Sequence, residues 1–161
     1  GLNAIGRGLL TVEDSTLYGN ALISFRSDYG STWEGDVVIR DSRWIPACGD
    51  KVQPVMFGTR NDGMHDFGYS CYMPREITID GLFVDDRNHP EGYQGLYFFP
   101  DPFALQDDEG AAPPPAERPY PYEPCRRIRV RRLTTASGFR PRLSPNPDLA
   151  KFTEVVEDPE P

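Results

Sequence analysis

The chain has 161 residues, and 17 Lys and Arg against 25 Asp and Glu give it a formal net charge of −8. That length suits one domain, burying roughly two-thirds of the surface its unfolded form exposes. So acidic a balance argues against a nucleic-acid partner, which needs a surplus of positive charge, and no apolar run approaches the ~20 residues needed to cross a bilayer.

Taken in chain order, four short runs share the pattern apolar, any, apolar: Leu10-Thr11-Val12, Val37-Val38-Ile39, Ile77-Thr78-Ile79 and Ile128-Arg129-Val130. Each is rich in β-branched residues, and the first three run into a polar or glycine bend, the signature of a short strand. A second set lies between them, over residues 21–25, 54–57, 96–99 and 140–144, and the two sets alternate strictly. Helical spacing is nearly absent, while 17 prolines and 15 glycines spread along the chain punctuate it into short extended pieces.

Alternation of this kind at intervals of a few tens of residues predicts a stacked array, in which each unit buries its apolar face only against its neighbours. If the triplets lie in parallel register, Glu13, Arg40, Asp80 and Arg131 form an outward column of alternating sign, and Asp36, Glu76 and Arg127 a mixed one. Opposite charges on neighbouring strands are stabilising. The basic run Arg126 to Arg132 then reads as a solvated strand face whose partners lie in these columns.

Residues 107–125 are a proline-rich excursion from the stack, and 157–161 read as an acidic tail with no expected structure, leaving 1–156 as the single domain. Three cysteines, Cys48, Cys71 and Cys125, form no CxxC pair and fit buried or free thiols, with Cys48 to Cys71 the nearest alternative pairing. They do not fix the compartment.

The second set carries the candidate chemistry. Arg26-Ser27-Asp28 and Arg60-Asn61-Asp62 end its first two members, and Asp101 and Asn146 stand at the equivalent places of the third and fourth. In a stack with strands about 4.8 Å apart, Asp28, Asp62 and Asp101 form a carboxylate ladder flanked by Arg26 and Arg60. Paired carboxylates raise one another's proton affinity, which supplies the acid and the base or nucleophile of glycoside hydrolysis. The same cluster can hold Ca²⁺ against an acidic sugar while an arginine removes a proton beside the uronate carboxyl. Mutual satisfaction of Arg and Asp at a turn is the structural alternative. His65 beside Asp66 adds a candidate base, and with one other histidine, His89, no His-based metal site is expected.

Tyr29, Trp33, Trp44, Tyr69, Tyr72 and Tyr93 lie in or beside loops, where rings with Asp, Asn and Arg nearby suit the apolar C–H faces of sugars. Tyr29, Trp33, Asp66, Tyr69 and Asp101 are the candidate substrate contacts.

Leu-Thr-Val-Glu-Asp-Ser-Thr-Leu (10–17), Asp-Val-Val-Ile-Arg-Asp-Ser-Arg-Trp (36–44) and Glu-Ile-Thr-Ile-Asp-Gly-Leu-Phe-Val (76–84) resemble coils of the right-handed parallel β-helix, or pectate-lyase-like, superfamily. The resemblance implies an all-β fold of about four coils with long loops, similar to the later coils of such a protein and without the usual N-terminal capping helix. It implies action on polysaccharide as a pectin-processing glycosidase or lyase, the latter with Ca²⁺, or else a non-catalytic carbohydrate-binding or assembly module. It leans toward an extracellular setting. An open first coil around Leu9 and Leu10 implies association with another copy or another chain.

Overall fold

The computed structural model describes residues 1–25, 33–49, 54–59, 71–102 and 122–159. Within them the chain is all-β, with almost no helix. Its strands in chain order are β1 (Leu2–Ala4), β2 (Gly6–Glu13), β3 (Thr16–Gly19), β4 (Ile23–Phe25), β5 (Trp33–Pro46), β6 (Phe57–Gly58), β7 (Cys71–Tyr72), β8 (Glu76–Val84), β9 (Tyr122–Glu123), β10 (Arg127–Thr135) and β11 (Glu154–Glu157). The principal sheet has the order β11-β10-β8-β5-β2, with β3 also paired to β5, and a second has the order β1-β4-β6. All of these pairings are parallel.

The register follows from which side chains must be buried. Val12 stands against Ile39, Ile39 against Ile79 and Ile79 against Val130, while Leu10, Val37, Ile77 and Ile128 form the neighbouring column. A one-residue slip would turn every one of these side chains outward, so the alternation of apolar and polar residues locks the alignment. The second set stacks in parallel too: Ile23 pairs Phe57, and isolated bridges link Val55 to Tyr97 and Tyr97 to Arg142. Phe57 and Phe99 meet with ring centroids 5.7 Å apart. Each fully buried aliphatic or aromatic side chain contributes roughly 1.5–3 kcal/mol of burial.

The long strands bend where Asp14, Asp41, Gly81 and Arg132 stack on one another, all with positive φ of 48°, 45°, 91° and 53°. Asp tolerates this conformation better than most side chains, and glycine adopts it without penalty. Gly81 serves a second purpose. A Cβ there would stand 2.7 Å from the Asp41 carboxylate and 3.0 Å from the Arg132 guanidinium, so its bare backbone leaves room for those two to meet across it. Beside the bend, the Ser42 hydroxyl donates to the Arg40 carbonyl and accepts the Ser15 N–H.

Several details depart from the sequence expectations. Trp44, grouped above with loop aromatics, is fully buried in β5 because it falls on the inward phase after the bend, and its indole N–H donates to the Gly19 carbonyl at 3.3 Å. Glu157, placed in a structureless tail, closes β11 and pairs with Arg140, while the Asp158 N–H bonds the Val130 carbonyl. Tyr122–Glu123, inside the proline-rich stretch, pairs with Cys71–Tyr72, and Cys125 is buried. Residues 107–121 of that stretch lie outside the described residues. No disulfide forms among Cys48, Cys71 and Cys125, so the alternative pairing of Cys48 with Cys71 is not made.

Candidate functional site

Of the residues that the sequence singles out for chemistry, Arg26, Asp28, Tyr29, Arg60, Asp62, His65, Asp66 and Tyr69 lie outside the described residues. Trp33 and Asp101 lie within them. Trp33 tilts against Phe25 at 6.3 Å between centroids, and its indole N–H donates to the Asp36 carbonyl at 3.1 Å. Asp101 accepts from the Asn146 side chain at 3.0 Å, so the third and fourth ladder positions do meet.

The described surface carries a groove that sequence reading missed. It is an open hollow of about 350 Å³ over the bend, floored by Gly81 and edged by Asp41, Phe83, Arg132 and Thr134. Thr134 is shared with an adjoining hollow of about 270 Å³ lined by Leu133, Thr135, Phe139, Arg140 and Glu157. Each hollow holds one exposed ring, Phe83 in the first at 38% and Phe139 in the second at 42% exposure. Phe83 faces outward because its neighbours Leu82 and Val84 take the inward positions of β8.

Charge along this groove is paired. Arg132 donates to Asp80 at 2.9 Å and to Asp41 at 3.1 Å, Arg131 lies 3.7 Å from Asp80, and Arg140 pairs with Glu157. The bonds to Asp80 and then Asp41 raise the Arg132 pKa further, so its charge is permanent. Elsewhere in the basic run, Arg127 bridges Glu76 and Glu154, and Arg129 meets Asp158. Asp36, which the sequence leaves beside the like-charged Glu76, receives a two-pronged bond from Arg75 at 3.2 Å.

A second cluster sits on the loop after β8. Asp85 is gripped by Arg87 and Arg43, whose hydrogen bonds hold its carboxyl well below the usual carboxylate range. Asp86 is fully buried and accepts from the Ser137 N–H (2.8 Å), the Ser137 hydroxyl (2.6 Å) and the Tyr93 hydroxyl (2.9 Å). Tyr93 stacks on His89 at 4.7 Å and meets Phe139 edge-on at 6.0 Å. Burial, then the Asp86 bond, raise the Tyr93 hydroxyl above its ordinary value, so it stays a donor. Asp86 therefore ties the 85–93 loop to the Phe139 rim of the groove. Adjacent aspartates directly after an apolar strand were the available sequence signal.

Among the described residues, no group of three or more His, Cys, Asp or Glu side chains is placed to hold a metal ion, and no helix is long and apolar enough to cross a membrane. Comparison with protein-family models, curated proteins and solved structures returns no match.

Proposed function

We propose that the chain winds as a right-handed parallel β-helix of the pectate-lyase-like kind, and that it is a carbohydrate-active protein engaging an extended polysaccharide along the Phe83–Phe139 groove. Strands from successive segments return to the same sheet in parallel, in-register order, which is how such a winding would pair. The observation that carries the functional reading is the groove itself. Two exposed rings stand in neighbouring hollows, which share Thr134, beside guanidinium, carboxylate and hydroxyl groups, and sugars need that combination of stacking faces and hydrogen-bonding partners. Its balanced charge suits a neutral or moderately acidic glycan.

In the catalytic form of this reading, Asp28 and Asp62 supply acid and base or nucleophile, as a glycoside hydrolase requires. Alternatively Arg26 or Arg60 acts as base beside Ca²⁺ held by the same carboxylates, as in a polysaccharide lyase, with His65 as a further proton carrier. The non-catalytic reading draws on the pairing of charges in the groove, where Arg131, Arg132 and Arg140 each have a carboxylate partner, an arrangement that binds and orients. A polysaccharide panel scored for retained binding, new reducing ends and unsaturated uronates separates the three. Phe83→Ala should weaken binding of the best ligand about tenfold with the fold intact, as the loss of one stacking contact implies. Unchanged affinity in that variant would remove the groove from the reading, and turnover lost in Asp62→Asn would establish the ladder as catalytic.

A further inference from the structure

Strand β2 pairs with β5 along one edge, and no strand among the described residues pairs with its other edge. Alternate residues of this 8-residue strand therefore present backbone donors and acceptors outward in a row, beside apolar side chains that are far from buried: Leu9 is 65%, Tyr18 64% and Ile5 58% exposed. Long, flat apolar edges are unfavourable in water, and soluble proteins cover them.

The sequence of β2 says what covers this one. Read outward from Leu10 in both directions, Gly-Arg-Gly-Leu-Leu-Thr-Val-Glu (6–13) is complementary to itself. An antiparallel copy placed on a two-fold axis at Leu10 sets Arg7 opposite Glu13, Leu9 opposite Thr11 and Gly8 opposite Val12, with each pair on one face of the sheet. Leu10 meets its own copy, which extends the inward column Leu10, Val37, Ile77, Ile128 across the boundary. The charges fit as well. Arg7 has no carboxylate partner among the described residues, and Glu13 makes one contact at 3.5 Å, to Arg40, with about half of its side chain exposed. The antiparallel direction also carries Leu2 and Ile5 of one copy to the end where Tyr18 of the other stands.

We infer that β2 is a homodimer interface: a second copy of this chain pairs head to head, antiparallel, in the register that joins Arg7 of one copy to Glu13 of the other. A two-fold interface of this kind is closed, so association stops at two and leaves the Phe83–Phe139 groove of both copies open. The inference stands on the edge strand alone and is independent of the glycan reading.

Sedimentation equilibrium and oxidative crosslinking of the 161-residue chain test it. The wild-type protein should be a dimer. Arg7→Glu should raise the dissociation constant about tenfold by setting two pairs of like charges together, and Arg7→Glu combined with Glu13→Arg should restore it. Leu10→Cys places the new thiol beside its own copy, within reach of a disulfide, so mild oxidation should link this variant and not the wild type. A monomer at all concentrations overturns the proposal. So does a dimer that Leu10→Cys links no better than wild type does, the result expected if copies stack head to tail through the β10 edge. If Leu10→Cys fails to fold, the Arg7 and Glu13 charge swaps still decide between these outcomes.

Discussion

Gly81 illustrates how a single missing side chain organises a surface. Its φ of 91° is costly for any L residue, and a Cβ would collide with the Asp41 carboxylate at 2.7 Å. Gly81→Ala should cost about 1 kcal/mol in backbone strain alone, and it should also break the bond from Arg132 to Asp41 and narrow the groove. A urea midpoint for the variant equal to wild type would contradict this account. Asp86 is the opposite case, a buried side chain whose value lies in the donors it satisfies. Asp86→Ala leaves the Ser137 N–H and the Tyr93 hydroxyl without their partner and should cost about 2–3 kcal/mol in urea denaturation. Asp86→Asn, which keeps one acceptor oxygen, should cost less.

Asp85 governs acid sensitivity in the same loop. Its carboxyl is held below the usual range first by the hydrogen bonds from Arg87 and Arg43, against the opposing effect of burial. Protonation is then easier in the unfolded chain than in the fold. The contribution is complete above the unfolded value of about 3.9 and is lost as pH falls from there toward the depressed folded value. Stability of the wild type relative to Asp85→Asn should therefore be constant at neutral pH and shrink below about pH 4, as read from urea midpoints at a series of pH values. A difference that grows on acidification would reverse the sign of this argument. Two of the thiols are held toward their protonated form for a related reason: burial pushes Cys125 up to about 12, and burial together with the Asp86 charge raises Cys48. A thiol reagent at neutral pH should therefore react fast with neither Cys48 nor Cys125 until the protein unfolds.

Among the elements, β8 and β10 carry most of the organisation. β8 lies between β5 and β10, and its inward Ile77 and Ile79 are fully buried on both sides. Ile79→Ala removes a side chain from the middle of a column and should cost about 2–5 kcal/mol, against a smaller loss for Val12→Ala in the outermost strand. Equal losses would mean that the column does not share its burial in this way. β10 shows a strand serving two neighbours: Arg127 pairs with β8 through Glu76 and with β11 through Glu154. β11 covers only Arg127 to Val130 of β10, so Arg131 to Thr135 remain free of a strand partner on that side among the described residues, and the groove opens there.

For the whole molecule, the sequence by itself determined where the four stacked triplets lie, their parallel alignment and the outward charge column. A period of two in β-branched residues admits only one register that buries Val12, Ile39, Ile79 and Val130 together. It also pointed to Asp101 and Asn146 as neighbours, which they are. Tertiary structure alone decided the burial of Trp44, because a left-handed residue at the bend shifts the phase of alternation and no local pattern reveals that. It alone decided the strand role of Glu154–Glu157, which exists only because β10 offers an edge to it. The groove was equally hidden, since its Arg132–Asp41 bond joins residues 91 positions apart and its two rings come from different segments. Local side-chain periodicity carries information about which face of a strand is buried. Which surface residues meet across the fold depends on how the long connections return the chain, and that is a property of the assembled structure.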